Sequence, residues 1–122
     1  YAHQKGLVNI CFISPTSSVA RIKAILKVAR GFIYYVSLTG VTGSRKSLEA
    51  DLKVKLAAVK KLTTKPVCVG FGISSARQVK EVVKISDGVI IGSAIIAKIK
   101  ENMGKRNLVQ RVGSFVGNLS NV

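Results

Sequence analysis

Residues 66–100 read PVCVGFGISSARQVKEVVKISDGVIIGSAIIAKIK, and the fold is decided by this stretch. An apolar run rich in β-branched residues, 67–71 (VCVGF), sits between Pro66 and Gly72 and predicts a short strand. Behind it, Ser75 and Gln78 stand in capping-box spacing, and Val79, Val82 and Val83 recur at helical intervals. A second run, 88–91 (GVII), passes through Gly92 and Ser93 into a short helix from Ala94 to about Lys100. A strand, a glycine turn and a helix thus occur twice in succession. Strands apolar on both faces and joined by helices pair in parallel, because each helical crossover returns the chain to the same end of the sheet.

The same unit extends toward the N-terminus. Residues 7–13 (LVNICFI) predict a strand, broken by Pro15, Ser17 and Ser18. Val19, Ile22, Ile25, Leu26 and Ala29 then form a helical stripe, with Ser18 as N-cap and Gly31 at the C′ position. Residues 32–36 (FIYYV) predict a strand, 39–44 a glycine-rich loop, and Leu48, Leu52, Leu56, Val59 and Leu62 one face of a helix. Beyond residue 100, a last helix begins near Asn107 and is expected to bury Leu108, Val112, Phe115, Val116 and Leu119, weakened by Gly113 and Gly117. Four strand-helix units in a row define an α/β protein, and either a doubly wound sheet or part of a barrel satisfies them. A TIM (β/α)8 barrel needs eight strands and roughly 250 residues. On the barrel reading, 1–122 is one partial domain, the C-terminal half with strands 5–8 and the phosphate-binding loops, cut inside a unit at Tyr1.

Composition narrows the function. A chain of 122 residues with 48% hydrophobic content suits one globular core, and no stretch has the roughly 18 uninterrupted apolar residues of a membrane span. A soluble, intracellular protein is expected. Cys11 and Cys68 each lie in an apolar run and read as small buried hydrophobes; the lone His3 is far from any ligand spacing, so no metal is expected. The charge is unusual. Twenty Lys and Arg against five Asp and Glu give +15, a composition compatible with binding a polyanion.

Glycines fall at the C-terminal ends of three successive strands: Gly40 with Gly43, Gly70 with Gly72, and Gly92. Ligands bind at that end of a parallel β/α fold. Gly92-Ser93-Ala94 leads straight into a helix, so the N–H groups of Gly92 and Ser93 and the Ser93 hydroxyl can converge on an anion at the positive end of the helix dipole. Phosphate is the expected ligand. A glycine after one strand is an ordinary turn residue, whereas three at matching positions point to a ligand. Phe71 reads equally as core or as ligand packing, and of Tyr34 and Tyr35, which alternate across their strand, one must face inward. No G-x-x-x-x-G-K-[ST] occurs, and GFGISS stops short of a dinucleotide fingerprint. Glu49, Asp51, Glu81 and Glu101 sit on predicted helix faces, and Asp87 precedes a strand at the end away from the ligand. No general acid or base is visible, which makes this a half-site.

ISPTSS (13–18), GFIYYVSLTGVTGSR (31–45), PVCVGFGISSARQV (66–79) and DGVIIGSAIIAKI (87–99) resemble, in order and spacing, the second half of the tryptophan synthase α chain. The resemblance implies a carbon-carbon lyase that splits indole-3-glycerol phosphate into indole and glyceraldehyde 3-phosphate in tryptophan biosynthesis. It implies phosphate contacts at Gly43, Gly72, Gly92 and Ser93, an indole pocket lined by Tyr34, Phe71 and Ile90, and Thr42 in a loop that closes over substrate and supports the catalytic aspartate. The family's catalytic Glu and Asp lie upstream of this half, so the fragment alone is expected to be inactive. The family also implies a tryptophan synthase β subunit as partner in an α2β2 tetramer. It implies pyridoxal phosphate in that partner, no cofactor in this subunit, and a cytoplasmic or plastid location.

Two alternatives compete. Another phosphate-binding barrel, resembling the thiazole synthases or the histidine-pathway isomerases, shares the GSA-like ending but lacks the GVTG loop. A basic nucleic-acid-binding module would account for the charge, but the basic residues are spread over every predicted helix and no aromatics interleave with them.

Overall fold

The computed structural model describes the backbone of residues 3–37, 45–70 and 72–121, and the side chains of these residues apart from 3 and 45–50. A 3-10 turn, His3–Lys5, precedes β1 (Cys11–Ile13), α1 (Val19–Val28), β2 (Ile33–Val36), α2 (Arg45–Lys60), β3 (Val67–Gly70), α3 (Ala76–Val83), β4 (Gly88–Ile90), α4 (Ser93–Asn102) and α5 (Leu108–Ser120). All four strands are parallel and stand in the order β1-β2-β3-β4. A doubly wound sheet reverses its strand order at a switch point. Here the order runs straight through, as the staves of a barrel do.

Register assigns the two faces. Ile13, Tyr35, Val69 and Val89 stand in one row, with Cys11, Ile33 and Val67 in the row below, and this face carries the helices. Ile13, Ile33, Tyr35, Val67 and Val69 are buried there against Leu26, Leu52, Leu56, Val59, Val79 and Val82. The opposite face carries Phe12, Tyr34, Cys68 and Gly88 in one row and Val36, Gly70 and Ile90 in the next. No described helix covers it, and Phe12 is 58% exposed. The strands are apolar on both faces as expected, but one face has no cover among the described residues.

Local chemistry sets the helix starts. The Ser18 hydroxyl accepts from the Arg21 N–H at 3.3 Å and opens α1. For α3, the Gln78 N–H donates to Ser75 Oγ at 3.4 Å, while Gln78 Oε1 accepts from the Ser74 N–H at 2.9 Å and from both serine hydroxyls. The return bond thus reaches one residue before the N-cap, a capping box displaced by one step. Two further positions differ from expectation. The C-cap of α1 is Ala29, so Gly31 is not C′; its positive φ of 77° turns the chain into β2, where a side chain would press on Val8 and Ile10. α2 ends at Lys60, which leaves Leu62 beyond the helix and 40% exposed.

At the C-terminal end, α5 packs on α3 and α4, and Leu119 and Phe115 join the core. Val116, expected in that buried stripe, is instead 39% exposed. Neither cysteine is fully buried: Cys11 and Cys68 are both half-buried, because Cys68 lies on the uncovered face and β1 is an edge strand.

Candidate phosphate-binding site

The pair Gly70↔Ile90 fixes the height of β3 against β4, so Gly72 and Gly92 lie two residues past neighbouring strand ends. Both are exposed, neither has a positive φ, and a Cβ added to either would meet no described atom within 4 Å. Packing among the described residues therefore leaves room for a side chain at both positions. What a side chain would occlude is the space in front of them.

Gly92 is the N-cap of α4 and supplies no capping side chain. Its carbonyl accepts from the Ile95 and Ile96 N–H groups at 3.0 and 3.1 Å, and the N–H groups of Ser93 and Ala94 have no acceptor among the described residues. A helix start leaves such donors aimed outward, where they and the dipole favour an anion. The exposed Ser93 hydroxyl stands beside them.

Two of the expected pocket residues share the uncovered face. Tyr34 lies between Phe12 and Cys68, with its ring centroid 5.0 Å from that of Phe12 and the planes at 48°. Ile90 stands in the next row, beside Gly70. Tyr35 points the other way and is 1% exposed, with a hydroxyl that finds no hydrogen-bond partner among the described residues. Burial, and behind it Asp51, pushes its phenol above the ordinary value. Thr42, Gly43, Gly40 and Phe71 lie outside the described residues.

Gly70 has a role that its grouping with Gly72 hides. A Cβ there would collide with the Cε2, Cζ and hydroxyl of Tyr34, so the tyrosine ring lies directly over the glycine. Gly88 makes room in the same way for Cys68 Sγ. A glycine inside a strand is the sequence signal for such a close approach.

The four described carboxylates are engaged elsewhere. Asp51 pairs with Lys55 at 2.8 Å, Glu81 with Lys84 at 2.9 Å, Glu101 with Lys98 at 2.6 Å, and Asp87 with Lys60 at 2.7 Å. Lys60 and the Val67 N–H hold Asp87 below the usual carboxylate range, and Lys98 does the same for Glu101. A general acid at neutral pH needs the opposite shift. The Cys68 thiol is pushed up by burial and then by Asp87, which disfavours the nucleophilic thiolate. Among the described residues no three of His, Cys, Asp and Glu converge as metal ligands, and no helix is long and apolar enough to cross a membrane.

Four parallel strands in straight order, helices on one face and open amides at the strand ends define half of a (β/α)8 barrel. The chain belongs to the tryptophan synthase alpha chain family, which matches residues 1–122. It is 44% identical over 118 residues to the tryptophan synthase alpha chain of Geobacter sulfurreducens, covering 97% of this chain and 44% of that protein. With the alpha chain of Thermoanaerobacter sp. it shares 40% over 121 residues, 99% of this chain and 46% of the relative. Among solved structures, tryptophan synthase subunit alpha from Campylobacter jejuni superposes with a TM-score of 0.84 at 30% identity, over 97% of this chain and 46% of that one. A chain from the tryptophan synthase α2β2 complex of Pyrococcus furiosus gives 0.82 at 30% identity, over 99% and 48%. The chain therefore spans a little under half the length of the relatives it matches.

Proposed function

We propose that this chain supplies the phosphate-gripping half of an enzyme that cleaves indole-3-glycerol phosphate to indole and glyceraldehyde 3-phosphate. The observation that carries the reading is the open set of first-turn amides at Ser93 and Ala94, which follow directly on Gly92, itself two residues past β4 and level with Gly72. Gly43, Gly72, Gly92 and Ser93 hold the phosphate, and Tyr34, Phe71 and Ile90 line the wall against the indole ring. Breaking the C–C bond needs a proton delivered to the indole carbon and protons taken from the indole nitrogen and the glycerol hydroxyl. Those steps fall to carboxylates of the other half, one of them oriented by Thr42. The grip on the phosphate fixes the distance between substrate and those groups.

The partner is a tryptophan synthase β subunit, in keeping with the α2β2 assembly of the Pyrococcus furiosus relative. Pyridoxal phosphate belongs to that partner. The cofactor is held through a lysine imine, and neither the described strands nor residues 14–18, 37–44, 71–75 and 91–92 of this chain carry a lysine.

Gly92→Val in the complete eight-stranded protein tests the site. No described atom stands where a Cβ at Gly92 would lie, and valine in place of glycine at an N-cap weakens a helix by on the order of 1 kcal/mol, so the thermal unfolding temperature should fall only slightly. Affinity for glycerol phosphate should fall by about tenfold to a hundredfold, the loss of one or two bonds to a charged acceptor. Unaltered affinity would show that the phosphate binds elsewhere.

A further inference from the structure

We propose that the groove between α2 and α3 docks an acidic polypeptide segment carrying aliphatic side chains. The groove, of about 410 Å³, is lined by Lys53, Lys60, Lys61 and Lys84 around Ala57 and Ile85. Two of its ammonium groups are already neutralised, Lys60 by Asp87 and Lys84 by Glu81. Lys53 and Lys61 have no carboxylate partner among the described residues.

The placement of charge along the chain supports a site here. The sequences joining a strand to the following helix, 14–18, 37–44, 71–75 and 91–92, contain no ionisable side chain. The helix-to-strand connections carry Arg30, Lys61, Lys65 and Lys84 against Asp87. Because the strands are parallel, these connections gather at the end of the sheet opposite the phosphate site. Arg21 and Arg77, in the first turns of α1 and α3, lie at the other end. An occupant of the groove would leave the substrate's approach open.

The lining also selects the class of partner. With no arginine and no aromatic among its described lining residues, the groove offers neither the bidentate fork that reads a guanine edge nor a surface on which a base could stack. A phosphate backbone would leave the apolar floor of Ala57 and Ile85 unmatched. A segment of Asp and Glu interrupted by leucine satisfies floor and rim together, the pattern of an interface with an apolar centre and a charged margin.

The test is a fluorescence titration of the protein with three probes: a peptide repeating Glu-Glu-Leu, poly-glutamate, and a nucleic-acid duplex of mixed sequence. The leucine-bearing peptide should bind more tightly than poly-glutamate and lose affinity as salt is raised. Lys53→Glu with Lys61→Glu should weaken it about tenfold, since two rim attractions become repulsions. Arg21→Glu with Lys23→Glu makes the same change in net charge on exposed positions of α1 and should alter affinity by less than about twofold. Circular dichroism of both double variants checks that α1 and α2 stay helical. Absence of peptide binding, an equal loss in both variants, or tighter binding of the duplex would each overturn the proposal.

Discussion

At the level of single residues, two glycines that look alike in sequence do different things. Gly72 borders open space, whereas Gly70 lies beneath the Tyr34 ring. Gly70→Ala should push that ring off its seat and destabilise the fold by about 1–3 kcal/mol, the range for an overfilled contact. Urea unfolding measures the cost, and the same substitution with Tyr34→Ala should incur little of it, because the two residues are directly coupled. If the loss persists without the tyrosine ring, something other than this contact excludes a side chain. The sequence shows both a glycine in a strand and a tyrosine in the preceding one, but their meeting depends on the register Tyr34↔Cys68, which no local pattern encodes. Gly92 and Ser93 were legible for the contrary reason: a strand, a glycine and a helix start adjoin in the chain, so the amides of the first turn are placed by local geometry alone.

Among the elements, helix starts read well and strand lengths read poorly. Ser18 and Ser75 cap α1 and α3 as their spacing predicts, because a cap is a contact between near neighbours. The run 7–13 yields only three strand residues, with Leu7 and Val8 at 62% and 55% exposure. Its partner β2 begins at Ile33, opposite Cys11, and a strand extends only as far as a neighbour offers donors and acceptors. The sequence places Asp87 only before a strand, at the end away from the ligand, whereas in the fold it ties three elements together: Oδ1 meets Lys60 of α2 at 2.7 Å, and Oδ2 accepts from the Val67 N–H of β3 at 2.9 Å, just before β4 begins. Its folded-state pKa lies below the ordinary 3.8, so its contribution is complete above that value and disappears as pH falls through the folded one. The carboxylate is 37% exposed and solvent screens it, so Asp87→Asn should cost only about 1 kcal/mol near neutrality. Denaturant midpoints of the two proteins should converge as pH falls below the ordinary carboxylate range and through the folded-state pKa of Asp87; a gap that is constant with pH would assign the effect to packing.

For the whole molecule, the strand-helix alternation by itself suits a doubly wound sheet and a barrel alike, the family resemblance points to half a barrel, and the straight strand order with one bare face agrees with it. That bare face has a consequence for the chain made alone. The chain exposes 8543 Å², whereas a compact monomer of 13.0 kDa would expose roughly 6,300 Å². The excess of roughly 2,000 Å² is the scale of an extensive protein interface. The outer edges of β1 and β4 add rows of backbone donors and acceptors that no described strand pairs. Two copies related by a twofold axis along the strands would bring β4 of each against β1 of the other and enclose Phe12, Tyr34 and Ile90. The charge of +15 on each copy opposes this. Screening shortens the reach of that repulsion to about 10 Å at 0.1 M salt, so association should strengthen as salt rises. Sedimentation of the 122-residue chain across salt concentrations should show the shift from monomer to dimer or larger species, without indole release at any stage, because no carboxylate on the described bare face can move the protons. A monomer that unfolds cooperatively at every salt concentration would mean that the face is stable uncovered. Indole release by the chain alone would place an acid-base group where none has been found.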